Sequence, residues 1–189
     1  MAHCLVVGGT GMLRGVCVVL AEAGHRVSVV ARNKERLVGL VRDTQRSPGV
    51  VNPIPVDYLN NNALHEKLSE AIAVLGPISL SVLWIHGEAG DAPGVVARLL
   101  NEQKENCQVY HVLGSTAADP TKQVGDSRPF EHLANCSYHR ITLGFRTGKD
   151  GSRWLTNDEI AQGVLDAIAN ERHEAVVGEI EPWENRPGR

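Results

Sequence analysis

The segment Val6-Val7-Gly8-Gly9-Thr10-Gly11-Met12-Leu13-Arg14-Gly15 has the residue types and spacing of a phosphate cradle. A short apolar run, residues 3–7, precedes it, and a helix-patterned stretch, residues 12–23, follows. Glycines between a first strand and a first helix let the backbone turn tightly and approach a pyrophosphate. The helix N-terminus adds unpaired N–H groups and a partial positive charge. The chemistry predicted is binding of a dinucleotide, with Gly8, Gly9, Thr10, Gly11, Met12 and Leu13 around its phosphates. A glycine-rich turn also occurs with no ligand; the strand before it and the helix after it favour the ligand.

The next strand-like run, residues 26–31, ends in Arg32-Asn33-Lys34, with Arg36 close behind. A carboxylate at such a strand end accepts hydrogen bonds from the ribose of NAD, whereas an arginine accommodates the extra phosphate of NADP. No carboxylate stands at positions 31–34. A guanidinium presents a planar fork of donors that matches a phosphate. Arg32 and Asn33 therefore predict NADP(H) rather than NAD(H). The same residues would also suit the solvated start of a helix.

These groups need a scaffold, and the apolar pattern supplies one. Strands are expected near 3–8, 26–31, 50–55, 79–86, 108–114, 138–145 and 175–180. Helices are expected near 12–23, 34–46, 61–74, 92–104 and 156–170. Thr156, with Glu159 three residues on, forms a capping-box signature for the last helix. Alternation of this kind predicts an α/β fold: one Rossmann-like, doubly wound domain over residues 1–189. About seven mostly parallel strands, in the order 3-2-1-4-5-6-7, would have helices on both faces. The segment from Ser115 to Asn135 carries loop signals at Asp119-Pro120, Gly125-Asp126 and Arg128-Pro129.

Composition narrows the class. Hydrophobic residues make up 42% of the 189, enough for one domain with a substantial core. A net charge of −3 gives no electrostatic reason to expect nucleic acid or an anionic membrane as partner. No apolar run approaches a membrane span, and the apolar amino end, without a basic flank, reads as a strand rather than a leader. Cys4, Cys17, Cys107 and Cys136 are widely scattered, which predicts free, buried thiols in a reduced, cytoplasmic protein. His132, Cys136 and His139 recur at i, i+4, i+7, but no second ligand pair accompanies them, so no metal site is expected.

Taken in order, these segments resemble the short-chain dehydrogenase/reductase superfamily over nearly the whole chain. Gly8 to Arg14 resembles its GxxGxxG turn, with Arg14 in place of the third glycine and Gly15 next. Val56-Asp57 resembles the family's pair after the third strand, which implies that Asp57 contacts the adenine. Val82-Leu83-Trp84-Ile85-His86-Gly87 stands where the family has Asn-Asn-Ala-Gly. Gly114-Ser115 closes the fifth strand, where the family carries its catalytic serine. Leu143-Gly144-Phe145-Arg146-Thr147 resembles the Pro-Gly…Thr segment beside the nicotinamide, which gives Thr147 the carboxamide.

One departure matters most. The family's Tyr-x-x-x-Lys, which moves a proton and holds the ribose, is absent from this sequence. Tyr138 is followed by Thr142 at the lysine position and opens a predicted strand, on the side of the sheet away from bound ligands. That leaves the strand ends. Ser115 could hydrogen-bond a carbonyl or imine, or be an ordinary strand-end cap. His86 could act as general acid, or pack against the wall of a pocket. Thr147 has a solvent-facing turn as its alternative. Two functions remain open: an NADPH-dependent reductase of a small carbonyl or imine, possible as a homo-oligomer, and an NADP(H)-binding redox sensor or scaffold without turnover.

Overall fold

The computed structural model describes residues 1–86, 90–118, 128–131, 133–149 and 151–187. His132, Gly87, Asp119-Pro120 and Gly125-Asp126, singled out above, lie outside these. The element order is β1 (His3–Val7), α1 (Arg14–Glu22), β2 (Arg26–Ala31), α2 (Lys34–Asp43), β3 (Val50–Pro55), α3 (Asn61–Leu75), β4 (Ile78–Trp84) and α4 (Ala92–Glu102). Then come β5 (Cys107–Leu113), α5 (Arg128–Glu131), β6 (Cys136–Leu143), β7 (Phe145–Gly148), β8 (Gly151–Trp154), α6 (Asn157–Ala169) and β9 (Glu174–Val177).

Seven strands form one sheet in the order β3-β2-β1-β4-β5-β6-β9, every neighbouring pair parallel. This is the expected doubly wound order, with β9 as its seventh strand. A strand covered on both faces must be apolar on both, and all five residues of β1 are buried. The edge strand β3 instead buries only Val51 and Ile54, and it holds Pro53 and Pro55, which a central ladder would not tolerate. One core layer packs α1, α2 and α6 on the sheet; the other packs α3, α4 and α5 on its opposite face. Each large apolar side chain buried there contributes roughly 1.5–3 kcal/mol.

α6 begins with the expected capping box, Thr156 and Glu159 each accepting from the other's backbone N–H. Gly15, which follows the displaced third glycine, lets α1 meet α6: a Cβ there would stand 2.8 Å from the Cβ of Ala161.

Three expectations are corrected. The expected strand 138–145 divides: β6 ends at Leu143, and residues from Phe145 turn away into a two-stranded antiparallel hairpin, β7–β8. Glycine at 144 permits that turn, because the Glu179 carbonyl fills the place of a Cβ. The last strand is shorter than expected, Glu174–Val177. The cysteines are not all free. Cys4 and Cys17 are buried free thiols, but Cys107 and Cys136 form a disulfide. They are register partners at the amino ends of β5 and β6, their Cα atoms 4.5 Å apart. Parallel pairing brings together residues that sequence spacing kept apart.

Candidate functional site

The sheet order reverses direction between β1 and β4, and the carboxyl ends of such strands are where doubly wound folds hold ligands in a crevice. The glycine turn lies there. Gly8 has φ +81°, a conformation side chains rarely adopt, and its N–H donates to the Val30 carbonyl at 3.0 Å. Gly9 faces inward: a Cβ would meet Val29 Cγ1 at 2.6 Å and Cys17 Sγ at 2.7 Å. Gly11 is the reverse case, since a Cβ on it would touch no atom within 4 Å. The turn runs on through Leu13 before α1 begins, and the Met12 and Leu13 amides have no backbone acceptor among the described residues. An open, Cβ-free step beside unsatisfied amides at a helix start fits a pyrophosphate.

Burial drives the thiol beneath this turn away from reactivity. Desolvation pushes Cys17 up to about 12 and Cys4 up to about 11. Both are packing residues.

Arg32 and Asp57 close the outer end of the crevice. Arg32 follows β2 and Asp57 follows β3; Nη1 and Oδ2 stand 3.9 Å apart, with side chains 67% and 42% exposed. The other Asp57 oxygen accepts from the Leu59 N–H at 3.1 Å, which fixes the carboxylate in a tight turn. Asn33 is the N-cap of α2, its side chain accepting from the Arg36 N–H at 2.9 Å. Its oxygen is occupied in starting the helix, a role its position already suggested. Arg14 pairs with Asp43 of α2 and so is engaged away from the crevice.

On the other side of the switch point, Trp84 and His86 end or follow β4, and Ser115 follows the neighbouring strand β5. The Trp84 indole reaches from strand to strand: Cδ1 lies 3.2 Å from the Cβ position of Gly8, and Cη2 3.5 Å from that of Gly114. His86, exposed just beyond β4, sets its ring edge-on to that indole with centroids 5.3 Å apart. Ser115 opens a 3-10 turn directly after Gly114, and only 9% of it is exposed. His86 stands beside the indole beyond β4, and Ser115 follows Gly114, whose Cβ position the indole approaches, beyond the neighbouring strand β5. In the sequence, Trp84 registers only as a replacement in a family segment; its position ending the fourth strand was the available signal.

Thr147 is not beside them at a sheet strand end. It lies on the exposed β7–β8 hairpin, opposite Ser152. The hairpin is tied to α6 by Glu159, whose carboxylate takes the Arg153 guanidinium at 2.8 and 2.9 Å and Arg146 Nε at 3.5 Å. The Arg153 guanidinium and the Thr156 backbone N–H hold the Glu159 carboxyl far below the usual carboxylate range.

Tyr138 sits three residues into β6, in register with Val109, and its hydroxyl lies 3.2 Å from His111 Nδ1. Phe130 of the single-turn α5 stacks on Tyr138 and meets His111 edge-on. Burial, with Arg140 nearby, pushes His111 down to about 4, so this imidazole is neutral packing. The described turn α5 thus sets the Phe130 ring against both Tyr138 and His111. His139 is likewise stacked, between Tyr110 and His173, and Cys136 is consumed by its disulfide. Among the described residues, no three His, Cys, Asp or Glu side chains are grouped to hold a metal.

No family model matches the sequence. Over 75 residues the chain is 35% identical to a short-chain dehydrogenase of Pseudocercospora fijiensis, a match spanning 40% of this chain and 24% of that protein. Solved structures share the fold over more of its length. A short-chain dehydrogenase/reductase from Serratia marcescens superposes with a TM-score of 0.70 at 15% identity, covering 94% of this chain and 97% of that one. One from Mycobacterium ulcerans gives 0.69 at 15%, covering 93% and 87%. A blue fluorescent protein from a metagenomic library, solved in complex with NADPH, gives 0.69 at 14%, covering 94% and 96%. Its sheet order and these likenesses show that the chain has the fold of the short-chain dehydrogenase/reductase structures.

Proposed function

We propose that this protein binds NADP(H) and uses it to reduce a small carbonyl or imine. The observation that carries the reading is Arg32: a largely exposed guanidinium at the end of β2, with no carboxylate on that strand end to favour NAD. In this reading Gly8, Gly9, Thr10, Gly11, Met12 and Leu13 hold the pyrophosphate, Arg32 and Asn33 the adenosine phosphate, and Asp57 the adenine. Thr147 would have to reach the carboxamide from the hairpin. The NADPH complex of a structural relative agrees with this choice of nucleotide.

When bound, NADPH supplies a hydride. The residues of this chain supply the rest. Ser115 donates a hydrogen bond to the substrate oxygen or nitrogen and holds it in place. His86 donates the proton that atom acquires, a step worth about 10²–10⁴ in rate. Orientation beside the crevice wall accounts for much of the remainder. The substrate is a small molecule, and assembly of identical chains belongs to the proposal. A cytoplasmic location, expected from the cysteines, has the Cys107–Cys136 bridge against it.

A second reading has its own observation. With one helical turn at α5 and no Tyr-x-x-x-Lys, the chain could bind NADP(H) and act as a redox sensor or scaffold. NADPH oxidation across small ketones, quinones and cyclic imines separates the two. Turnover lost in Ser115→Ala and His86→Ala supports the reductase. Tight NADPH binding with no oxidation supports the sensor.

A further inference from the structure

The residue that replaces the family's polar segment at the end of β4 is the largest side chain the sequence could place there. Trp84 is partly buried and packs on the core layer formed by α1 and α6. Its indole lies across the carboxyl edge of the sheet, from Gly8, just after β1, to Gly114, just after β5. Neither neighbour has a side chain, and at Gly8 a Cβ would press on Trp84 at three atoms within 3.1–3.2 Å. Gly8 thus leaves room for the tryptophan, and the far edge of its ring comes into ordinary contact range at Gly114. That ring lies at the switch point, the place where a dinucleotide crosses from one half of the sheet to the other.

Given the NADP(H) reading, on which this inference rests, the Gly8–Leu13 turn and Arg32 hold the nucleotide over β1, β2 and β3. The remaining half must cross toward β4 and β5, where the indole lies. We propose that Trp84 is the positioning residue for the nicotinamide half of the cofactor, an aromatic platform that takes the flat ring by stacking. Offset stacking of planar rings supplies attraction and restricts tilt without a hydrogen bond. That is a different solution from a polar segment at this strand end. It places the nicotinamide beside His86, at the strand end next to the one that Ser115 follows.

The test compares two ligands that differ in the nicotinamide. NADPH carries it; 2′-phospho-ADP-ribose keeps the adenosine phosphate and pyrophosphate and lacks it. In a Trp154→Phe/Trp183→Phe background, Trp84 is the sole indole of the three in the sequence. Its emission should be quenched by saturating NADPH and much less by the fragment. In the otherwise unaltered protein, Trp84→Leu should weaken NADPH on the order of tenfold and leave the fragment's affinity as it was, while Trp84→Phe stays near the native value. Native protein that binds the fragment, with Trp84→Leu as tight as native for NADPH, overturns the platform and leaves the cofactor reading standing. Equal losses for both ligands in a folded Trp84→Leu also overturn it. Should that variant not fold, an unquenched Trp84 at saturating NADPH does the same. Native protein that binds neither ligand removes the cofactor reading, and the platform with it.

Discussion

Arg32 and Asp57 face one another across the outer end of the crevice, Nη1 to Oδ2 at 3.9 Å, though they end different strands. Both side chains are substantially exposed, so the pair itself is worth about 0–1 kcal/mol. A phosphate dianion offers the guanidinium a stronger, forked partner. Arg32→Ala should narrow the preference for NADPH over NADH by roughly 1–3 kcal/mol. Asp57→Asn should leave that preference at least as large, because it removes a competing anion. Fluorescence titrations of both variants with both nucleotides check this; an unchanged preference in Arg32→Ala would remove Arg32 from the site.

The glycines of the turn divide by what stands beside them. Gly11 opens on empty space, so Gly11→Val should keep the native fold and lose cofactor binding. Gly9 is packed on Val29 and Cys17, so Gly9→Ala should destabilise the protein by roughly 1–3 kcal/mol through overpacking. Thermal unfolding and NADPH titration of the two variants should show opposite patterns. Normal NADPH binding by Gly11→Val would make the turn structural alone.

The doubly wound order was legible because strand-length apolar runs alternate with helix-period segments, and the capping box at Thr156 and Glu159 marked α6. The β7–β8 hairpin was not read, although Gly148 and Gly151 bracket its turn. A four-residue strand leaves little periodicity, and the run from Tyr138 to Phe145 is apolar enough to hide the break at Gly144. The features on which the proposed site rests, the glycine turn and Arg32, are visible in the sequence because backbone chemistry and residue type define them. It was hidden where a side chain from one strand crosses others, as Trp84 does. The disulfide was hidden for the same reason, since register and not spacing pairs Cys107 with Cys136.

That disulfide joins residues 29 apart in sequence. Closing a loop of that length restricts the unfolded chain and contributes about 3.6 kcal/mol. Cys136→Ser should lower stability by about that amount in denaturant titrations without reductant. A dithiol reductant should bring the native protein down to the variant and leave the variant unmoved. Equal stability of the two under oxidising conditions would mean the bridge contributes nothing.

Stability should fall with acid in a window set by His111. Its ordinary value is 6.5, and burial holds it down to about 4 in the folded protein. Between those values the unfolded chain takes up a proton that the folded one refuses. The stabilisation is thus complete above about pH 6.5 and lost progressively as pH falls toward about 4, on the order of 3 kcal/mol in all. His3, also pushed down by burial, acts in the same direction. His111→Gln should flatten most of the slope in urea midpoints measured across that range. A slope identical to native would place the acid sensitivity elsewhere.

The central claim is that this chain holds NADP(H) at the switch point. The direct measurement is a fluorescence titration of the unmodified protein with NADPH and with NADH under identical conditions. The account predicts saturable binding of both, with NADPH at least about tenfold tighter, the effect of one charge-assisted phosphate contact. Equal affinities, or no binding of either nucleotide, would contradict it.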